Sequence, residues 1–573
     1  MQAGSRGARG WLMSALATVV FLQGCSSSGG FGSVNNPYLL PDGGGPVVSN
    51  LRSFGDSYSV PGAWGGSWND RLAGMGRVER VTRYAVGGAR SQGGARPEIN
   101  FNNQVSRFLR QDGNIGARDL TVTYFGYNDI GRTGSPDNLA GARAGYDEGI
   151  NRLINAGAIA DERRLFVTQL HDWGRNPGVA NGVRGQVQGW NAYLAEVANR
   201  HPNIVAVDLF TVFEDVYGNP PKYGLVDVNN VNAARSASDF LYHDEIHFGG
   251  AGLNIIARTF NHYLTRGWDW ANSLAAGGAA SSQLQSDIDN GLLTLRLQNQ
   301  GRGSDTGESF EAFPLGPSGA ERGIGLHWRD TGLPGNASAG VALLNQTQQF
   351  NTIGTNGLAQ RQAQTSDGLG TWFRLQAGPI NATTQVAHVN HNHRRSNYDD
   401  ILDRTANWQA SAETTSFQQR LDRQVELAHA LLIPWVALKH QSLSMDSVQA
   451  SSLYTSSTRV DLSDHQQTTG TLGLSVLGRE ITLGHGRKLH LGASMEWENG
   501  LSRETIDVQF QERAMPGLAQ QESVELGRLE RTSVTMNAAL RWSENTDVGL
   551  QFTHAEARGT GQNQGMLSLT HRF

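Results

Sequence analysis

Three side chains in this sequence are of the types that cooperate in nucleophilic catalysis: a serine, a histidine and an aspartate. Ser57 follows a Gly-Asp pair at the end of an apolar run, and Asp244 and His247 stand three residues apart in one short segment. A serine hydroxyl becomes an effective nucleophile when an imidazole takes its proton, and a carboxylate beside the imidazole holds the required tautomer. Asp244 can orient His247 from the same loop. These residues predict ester hydrolysis through an acyl-enzyme, with no metal or organic cofactor.

Asn128 supplies a further group that this chemistry needs. It lies in the segment Gly-Tyr-Asn-Asp at 126–129, directly after an apolar run. The tetrahedral intermediate of ester hydrolysis carries an oxyanion, and loss of one donor to it typically costs about 3–4 kcal/mol. An asparagine amide and a glycine with an open backbone N–H are suitable donors. Each of these short signals is weak alone, and their order along the chain carries the prediction.

The elements that would position these residues are alternating strands and helices between about residues 49 and 268. Apolar side chains recur on one helical face over 146–154, 183–197 and 253–264. Apolar runs bounded by turn residues predict buried strands at 47–54, 120–125, 165–170 and 204–210. Strands that alternate with crossover helices form a parallel sheet covered on both faces, and such sheets bind ligands at the carboxyl ends of their strands. The polar motifs follow those ends.

Four motif blocks occur in this region: FGDSYS at 54–59, AVGGARS at 85–91, GYND at 126–129 and DEIH at 244–247. In this set and order the chain resembles the GDSL, or SGNH, family of serine hydrolases. The resemblance implies an α/β fold and makes Ser57 the nucleophile, His247 the general base and then acid, and Asp244 its orienting partner. It also implies three oxyanion donors: the backbone N–H groups of Ser57 and Gly88, and the side-chain amide of Asn128.

Two positions depart from the family pattern, and one is ambiguous. Tyr58 stands where the name-giving leucine of the family lies, and Arg83 stands where the second block often begins with asparagine. Neither position carries the chemistry, so the departures are expected to alter the substrate pocket rather than the reaction. Gly87 competes with Gly88 for the donor position of the second block.

The histidines also allow a different chemistry. His243 and His247 are four residues apart, and the segment HDEIH is similar to the HExxH zinc motif with aspartate in place of glutamate. That motif needs one continuous helix, whereas Phe-Gly-Gly-Ala-Gly follows here at once, so a zinc site is disfavoured. His171, at the end of a predicted strand, could line the cleft, although a role in loop packing is favoured.

The N-terminal segment predicts export. Arg6 and Arg9 precede an apolar run at 11–22, which has the length of a signal-peptide core and is too short for a permanent membrane helix. Cys25 follows Leu-Gln-Gly, and this resembles a bacterial lipobox in which Cys25 is lipidated; an ordinary cleaved signal is the alternative. Residues 1–24 are therefore a predicted signal peptide, and residues 25–48, rich in Ser, Gly, Asn and Pro, a flexible spacer.

Composition limits the classes of function. The chain has 573 residues, a formal net charge of −5 and one cysteine. The length predicts two or more domains, and a single cysteine excludes an intrachain disulfide framework and any Cys-rich zinc or iron–sulfur site. Because the chain has no basic surplus to neutralise phosphates, no nucleic-acid partner is expected.

The second half of the chain follows a different pattern. Residues 269–303 carry leucine and isoleucine at helical spacing and predict a linking helix. From 304 to 573 apolar and polar residues alternate with period two, at 324–328, 425–435, 472–476, 489–497, 534–542, 548–552 and 567–573, whereas 335–420 are patterned poorly. Strands of about 9–11 residues, apolar outside and polar inside, are typical of an outer-membrane barrel. A soluble β-sandwich is the alternative, and the charged polar face and the terminal Phe573 argue against it.

Signal, hydrolase region, helix and barrel in this order resemble the GDSL esterase autotransporters over essentially the whole chain. The resemblance implies a passenger domain at 49–268 exposed at the bacterial surface, a linking helix threaded through the pore, and a barrel of about twelve strands in the outer membrane. It also implies an ester or lipid substrate, and contacts with outer-membrane lipids and the barrel assembly machinery. Two readings without catalysis stay open: an adhesive passenger that has kept a hydrolase fold, and a porin.

Overall fold

The structure is a computed structural model. It describes residues 47–62, 65–134, 138–234, 239–299, 308–315, 321–330, 336–353, 359–399, 404–451, 454–502, 504–543, 546–557 and 560–571. All of these belong to one compact unit, Ser33–Phe573. The predicted signal peptide, Cys25, the predicted spacer up to residue 46 and Phe573 lie outside the described residues. Among the helices in these ranges, none combines the length and the apolar character needed to span a membrane.

The N-terminal region has an α/β fold built on a parallel sheet, as predicted. Its five strands are β1 (Val48–Gly55), β2 (Val78–Arg83), β3 (Asp119–Tyr124), β4 (Leu165–Gln169) and β5 (Ile204–Asp208). Their spatial order is β2-β1-β3-β4-β5, and each pairing is parallel. β4 and β5 are buried along their whole length, and each begins with a run of apolar residues, as expected for strands covered on both faces.

Helices and two short strands accompany this sheet. The helices are α1 (Trp68–Gly74), α2 (Phe101–Gln111), α3 (Tyr127–Ile130), α4 (Leu139–Asn155), α5 (Arg184–Ala198), α6 (Leu209–Gly218) and α7 (Gly250–Asn299). Strands β6 (Asp227–Val231) and β7 (Phe240–Tyr242) pair with each other. The strand predicted at 204–210 ends at Asp208, because its Oδ1 atom accepts the Thr211 N–H (2.9 Å) and thereby caps α6.

Helix α7 is a single element of 50 residues. It contains the last predicted helix of the passenger domain and most of the predicted linking helix, so the predicted boundary at residue 268 falls inside one continuous helix. Gly291 does not interrupt it. A Cβ at Gly291 would lie 2.1 Å from the Phe313 ring, so this glycine allows the helix and the neighbouring strand to approach closely.

The C-terminal region is an antiparallel sheet. Its strands, and those of a smaller sheet, are β8 (Glu308–Leu315), β9 (Glu321–Asp330), β10 (Ala337–Ile353), β11 (Ala359–Ala377), β12 (Ile380–Asp399), β13 (Arg404–Arg423), β14 (Val425–Glu426), β15 (Ala430–Met445), β16 (Val448–Ala450), β17 (Thr458–Leu462), β18 (His465–Gly478), β19 (Ile481–Thr482), β20 (Lys488–Gly500), β21 (Glu504–Glu512), β22 (Ala519–Gly527), β23 (Glu530–Ser543), β24 (Thr546–Ala557) and β25 (Thr560–His571). In the described part of the chain, twelve strands follow one another from β8 to β25, and β14 and β19 are short additions. Cα atoms of β8 and β25 approach within 8 Å, which brings the two ends of the sheet together.

This sheet carries apolar side chains on its outer face and surrounds α7. Leu343 and Met536 are 55% and 59% exposed on the outside. On the inside, Leu293 and Leu297 of α7 pack against a cluster that includes Leu477. The helix therefore occupies the interior of the sheet, which otherwise presents polar side chains.

The prediction of one outward-facing apolar strand at 425–435 is wrong. β14 ends after two residues, and the chain reverses where the Leu427 N–H donates to the Ala430 carbonyl (2.8 Å), so that β15 pairs with β14. Ile433 and Trp435 are only 0% and 6% exposed. Ile433 belongs to the buried cluster around α7, because an interior filled by a helix accepts apolar side chains that a water-filled pore would not.

The poorly patterned segment 335–420 forms the longest strands. β10, β11, β12 and β13 have 17, 19, 20 and 20 residues, well beyond the predicted 9–11. Strands of this length exceed the thickness of a bilayer, so only part of each needs an apolar outer face. The polar remainder weakens the period-two signal in the sequence.

A separate four-stranded sheet, here called the platform sheet, stands beside the barrel-like sheet. Its order is β16-β17-β21-β22. It is built from the segments that connect β15 to β18 and β20 to β23. Its buried side chains, among them Val460, Val508 and Phe510, pack with Trp270 and Leu274 of α7.

Candidate active site

Ser57 lies on a tight turn at the carboxyl end of β1. Asp56 caps a 3-10 turn that begins at Ser57, and its Oδ1 atom accepts the Tyr58 N–H (3.0 Å). A Cβ on Gly55 would lie 2.9 Å from the carbonyl oxygen of Tyr124, so the turn requires glycine there. The turn carries Ser57, which is partly exposed, past the last residue of the strand.

The second motif block runs beside Ser57. The Val86 N–H donates to the Gly55 carbonyl (3.1 Å), which places this block at the end of β1. A Cβ on Gly87 would lie 3.8 Å from the Cβ of Ser57. Gly88 has a φ of +79°, a left-handed conformation that favours glycine. Gly87 therefore faces Ser57, while the oxyanion role of the Gly88 N–H stays a prediction.

Asn128 connects the first and second motif blocks. It lies on the short helix α3, directly after β3. Its Nδ2 atom donates to the Ala89 carbonyl (3.0 Å) and to Oδ2 of Asp56 (3.3 Å). Gly126 has a φ of +135°, and a Cβ there would lie 2.5 Å from the Trp190 indole nitrogen. The absence of a side chain at Gly126 lets the start of α3 pack closely against Trp190. The Asn128 amide then lies beside the turn that carries the predicted nucleophile.

Two carboxyl groups in this region are buried and hold their protons unusually tightly. Burial raises the pKa of Asp56 to about 7, although the hydrogen bond from the Tyr58 N–H opposes the shift. Burial also raises the pKa of Asp129 to about 6, against hydrogen bonds from Ser91. A neutral carboxyl places no negative charge beside a developing oxyanion. The raised pKa of Asp56 is therefore compatible with an oxyanion site next to it.

Asp244 and His247 are joined within one turn between β7 and α7. Nδ1 of His247 lies 2.8 Å from Oδ2 of Asp244. Oδ1 of Asp244 accepts the backbone N–H groups of Ile246 (2.8 Å) and His247 (2.7 Å). Burial alone would raise the pKa of Asp244, but these hydrogen bonds lower it below its usual value. A charged carboxylate keeps Nδ1 protonated, which leaves Nε2 of His247 as the basic nitrogen.

The His247 loop meets the Ser57 turn through Tyr58. The centroids of the Tyr58 and His247 rings are 5.7 Å apart, and the Tyr58 hydroxyl donates to the Ile246 carbonyl. The structure thereby gathers all four motif blocks at one end of the parallel sheet. The catalytic roles assigned to their residues stay predictions, and this convergence is what makes them possible.

The segment with the alternative zinc motif is not helical. Residues 243–247 form a turn in which the His243 N–H donates to the His247 carbonyl (2.9 Å). The two imidazoles therefore lack the helical spacing that the motif requires. Within the described ranges, no group of three or more His, Cys, Asp or Glu residues is arranged to hold a metal ion.

Tyr58 and Asn176 support the site in a way that the sequence analysis did not predict. Tyr58 was expected to alter the substrate pocket, but it is 3% exposed and its hydroxyl contacts the His247 loop. Nδ2 of Asn176 donates to the same Ile246 carbonyl (2.9 Å) and to the Tyr58 hydroxyl (3.0 Å). Arg83, the other departure from the family pattern, forms an ion pair with α1 instead. The supporting role of Tyr58 could have been suspected from its hydroxyl at the position where the family has leucine. Asn176 lies outside the four motif blocks, and nothing in the sequence around it indicates its role.

Asn176 makes four side-chain hydrogen bonds, which is the full capacity of its amide. Its Oδ1 atom accepts from the Tyr242 hydroxyl (3.1 Å) and from Nε2 of His171 (2.8 Å). The Tyr127 hydroxyl contacts Nδ1 of His171 (2.5 Å). Burial lowers the pKa of His171 to about 3, so its imidazole is neutral. His171 therefore belongs to a buried network behind the His247 loop and does not line the cleft.

The Tyr58→Phe variant tests whether this network positions His247. It removes the hydroxyl that donates to the Ile246 carbonyl, and one such hydrogen bond contributes about 1 kcal/mol. We expect kcat for a small ester to fall by about five- to tenfold, with KM unchanged. Tyr217→Phe is the matched control, because the Tyr217 hydroxyl contacts Tyr242 (2.7 Å) at the far end of the network. Equal losses in both variants, or a change confined to KM, would contradict a positioning role.

The chain thus combines a hydrolase-like α/β domain with a barrel-forming antiparallel sheet, and one long helix joins the two. Comparison with protein families agrees. The GDSL-like Lipase/Acylhydrolase family model matches residues 40–260, and the Autotransporter beta-domain model matches residues 323–553. As the resemblance predicted, residues 40–260 are similar to GDSL-like lipases and acylhydrolases, and residues 323–553 are similar to autotransporter β-domains.

Solved structures show similarity to each half. The translocator domain of the autotransporter NalP from Neisseria meningitidis is 14% identical, over 53% of this chain and 98% of that one, with a TM-score of 0.35. The transport unit of the autotransporter AIDA-I from Escherichia coli is 12% identical, over 51% and 99%, with a TM-score of 0.31. The lipase Lip_vut3 from a goat rumen metagenome is 12% identical, over 37% and 96%, with a TM-score of 0.27. A comparison with curated proteins finds no match.

Proposed function

We propose that this protein is a serine esterase or lipase that hydrolyses carboxylic esters and is displayed at the cell surface by its own barrel. The observation that carries the proposal is the 2.8 Å hydrogen bond between Asp244 and His247, on a loop that packs against the residue following Ser57. The match of residues 40–260 to GDSL-like lipases and acylhydrolases supports the same class of reaction.

In the proposed reaction the Ser57 hydroxyl attacks the ester carbonyl carbon while Nε2 of His247 takes its proton. The oxyanion of the tetrahedral intermediate accepts hydrogen bonds from the N–H groups of Ser57 and Gly88 and from the Asn128 amide. The Asn128 amide then donates to the oxyanion the N–H that bonds Oδ2 of Asp56 at 3.3 Å in the structure, and keeps its bond to the Ala89 carbonyl. Asp244 stabilises the imidazolium, which then donates its proton to the leaving alcohol. Water repeats these steps on the acyl-enzyme and releases the acid.

The experiment uses the purified full-length protein in detergent. Chromogenic esters of increasing acyl-chain length measure turnover, and a fluorophosphonate probe followed by peptide mapping identifies the nucleophile. We expect ester hydrolysis and a covalent adduct on Ser57. A folded protein that binds surfaces without turnover would favour an adhesive passenger, and an adduct on another serine would move the chemistry elsewhere.

The Asn128→Ala variant tests the oxyanion assignment. Loss of one oxyanion donor is expected to lower kcat by roughly 10²- to 10³-fold with little change in KM, because the donor acts on the transition state. The matched control is Asn103→Ala, which removes an exposed asparagine that hydrogen-bonds the Pro97 carbonyl (2.8 Å). A similar kcat in both variants would remove Asn128 from the mechanism.

The proposed location is the outer membrane, with the passenger exposed to the medium. The outward apolar side chains of the C-terminal sheet and the match to an autotransporter β-domain support it. An antibody against the passenger should label intact cells without permeabilisation, and labelling only after permeabilisation would contradict the proposed location. Because α7 fills the interior, the full-length protein should conduct few ions in planar bilayers, whereas a porin would conduct well.

A further inference from the structure

The platform sheet meets the passenger domain through buried charges. Nη1 of Arg266, on α7, lies 2.8 Å from Oε1 of Glu512, and its Nε lies 3.5 Å from Oε1 of Glu522. Arg164, next to the start of β4, lies 3.2 Å through Nη1 from Oε2 of Glu522. These four side chains are between 2% and 6% exposed. Two buried cations of the passenger therefore face two buried carboxylates of the platform.

Apolar residues from the platform segments take part in the passenger core. Tyr454, Met515 and Leu518 belong to the same buried cluster as the strands and helices of the α/β domain. Met515 and Leu518 come from the turn that joins β21 to β22. Without the platform, the passenger side of this contact would be exposed to water.

Polar contacts extend the interface along the passenger. The Tyr263 hydroxyl of α7 donates to Oε2 of Glu512 (2.7 Å). Nε2 of Gln520 donates to the Ile204 carbonyl (3.3 Å) on β5, which is the edge strand of the parallel sheet. The platform thus supplies a donor to a sheet edge that would otherwise face solvent.

Gly267, the residue after Arg266, leaves room for the Glu522 carboxylate. A Cβ on Gly267 would lie 2.1 Å from Oε2 of Glu522. A larger residue at 267 would require the Glu522 side chain, which lies between Arg266 and Arg164, to shift. The glycine inside a long helix is therefore explained by the platform, and not by a turn.

We propose that the platform sheet is a structural part of the passenger domain, so that the passenger reaches its stable, protease-resistant state only when docked on it. Removal of one partner of a buried ion pair leaves an uncompensated charge in the interior. This strongly destabilises the folded state. The consequence is that a folded passenger is available only where the loops of the assembled barrel are present. This inference does not depend on the proposed esterase activity.

The test is a double-mutant cycle on the full-length protein in detergent. Pulse proteolysis at increasing urea concentration measures unfolding of the passenger, and gel mobility without heating reports the barrel in the same samples. Glu512→Gln and Arg266→Gln are each expected to raise the unfolding equilibrium constant of the passenger by roughly 100-fold or more. The double variant should show less than the product of the two effects, because the residues are coupled.

The matched control is the pair Arg459 and Asp461 in the same sheet, 3.0 Å apart with side chains 52% and 31% exposed. Arg459→Gln and Asp461→Asn should each change the same constant by less than about fivefold. Gly267→Ala is the second variant, since it leaves the barrel sequence intact, and it should shift the unfolding midpoint in the same direction as Glu512→Gln.

An unchanged passenger midpoint in Glu512→Gln and Gly267→Ala would overturn the proposal, and so would independent effects of Arg266→Gln and Glu512→Gln. If Glu512→Gln prevents barrel assembly, Gly267→Ala decides alone: a lowered midpoint supports the proposal and an unchanged one overturns it. None of these measurements uses ester turnover, so a failure of this proposal can be distinguished from a failure of the esterase proposal.

Discussion

Replacing Ser57 with alanine is expected to lower kcat/KM for ester hydrolysis by roughly 10⁴- to 10⁶-fold. The variant removes the atom that would form the acyl-enzyme, while the turn itself is held by backbone contacts and by Asp56, whose Oδ1 accepts the Tyr58 N–H. The passenger should therefore keep its protease resistance. Steady-state kinetics and fluorophosphonate labelling of the same preparation would measure both consequences.

Ser59→Ala is the matched control for this variant. Ser59 lies in the same 3-10 turn, is buried, and accepts a long hydrogen bond from the Trp68 indole (3.4 Å). Its loss should cost less than about tenfold in kcat. If Ser57→Ala keeps wild-type turnover while Ser59→Ala does not, the nucleophile has been assigned to the wrong residue.

Asp244→Asn is expected to lower kcat by about 10⁴-fold. Oδ1 of Asp244 accepts two backbone N–H groups, so an asparagine oxygen can keep that place and leave the loop intact. Its amide NH₂ then faces Nδ1 of His247, where the wild-type carboxylate lies at 2.8 Å. A donor at that point favours the tautomer protonated on Nε2, which cannot take the proton of the serine.

Glu245→Gln is the control for the loss of charge on this loop. Glu245 is the next residue, is 68% exposed, and lies 3.5 Å from Arg132. Its neutralisation should leave kcat within about threefold, since exposed ion pairs contribute little. Comparable losses in Asp244→Asn and Glu245→Gln would mean that the overall charge of the loop, and not the orientation of His247, governs the rate.

Four of the five strands of the parallel sheet could be predicted closely because their signal is local, whereas β2 (Val78–Arg83), which is half exposed and carries polar residues, was not predicted. The runs at 47–54 and 165–170 correspond to Val48–Gly55 and Leu165–Gln169. A strand buried on both faces is rich in apolar residues at consecutive positions, although β1 also buries Asn50 and Arg52. The fold class and the family resemblance were confirmed by the structure and by the family matches.

The barrel could be predicted as a class but not strand by strand. Period two shows that alternate faces differ, but it does not show which face is inside. At Ile433 the inside is apolar because Leu293 and Leu297 of α7 are there, and no local pattern contains that information. The position of residue 268 as a domain boundary is likewise invisible in the local structure. Helix α7 is continuous across this residue, and only the elements packed around it change from passenger to barrel.

The local features could be read from the amino-acid sequence alone: the order of the four motif blocks, the Asp-x-x-His spacing on one loop, and the strand and helix periods. These depend on neighbours within a few residues, so their chemistry is readable from composition and spacing. Three long-range contacts became visible in the folded chain: Tyr58 reaches the Ile246 carbonyl, Asn176 joins the same network, and Glu512 and Glu522 meet passenger arginines. Those contacts join residues far apart in the chain, and their partners are chosen by how whole elements pack, which no short stretch of sequence encodes.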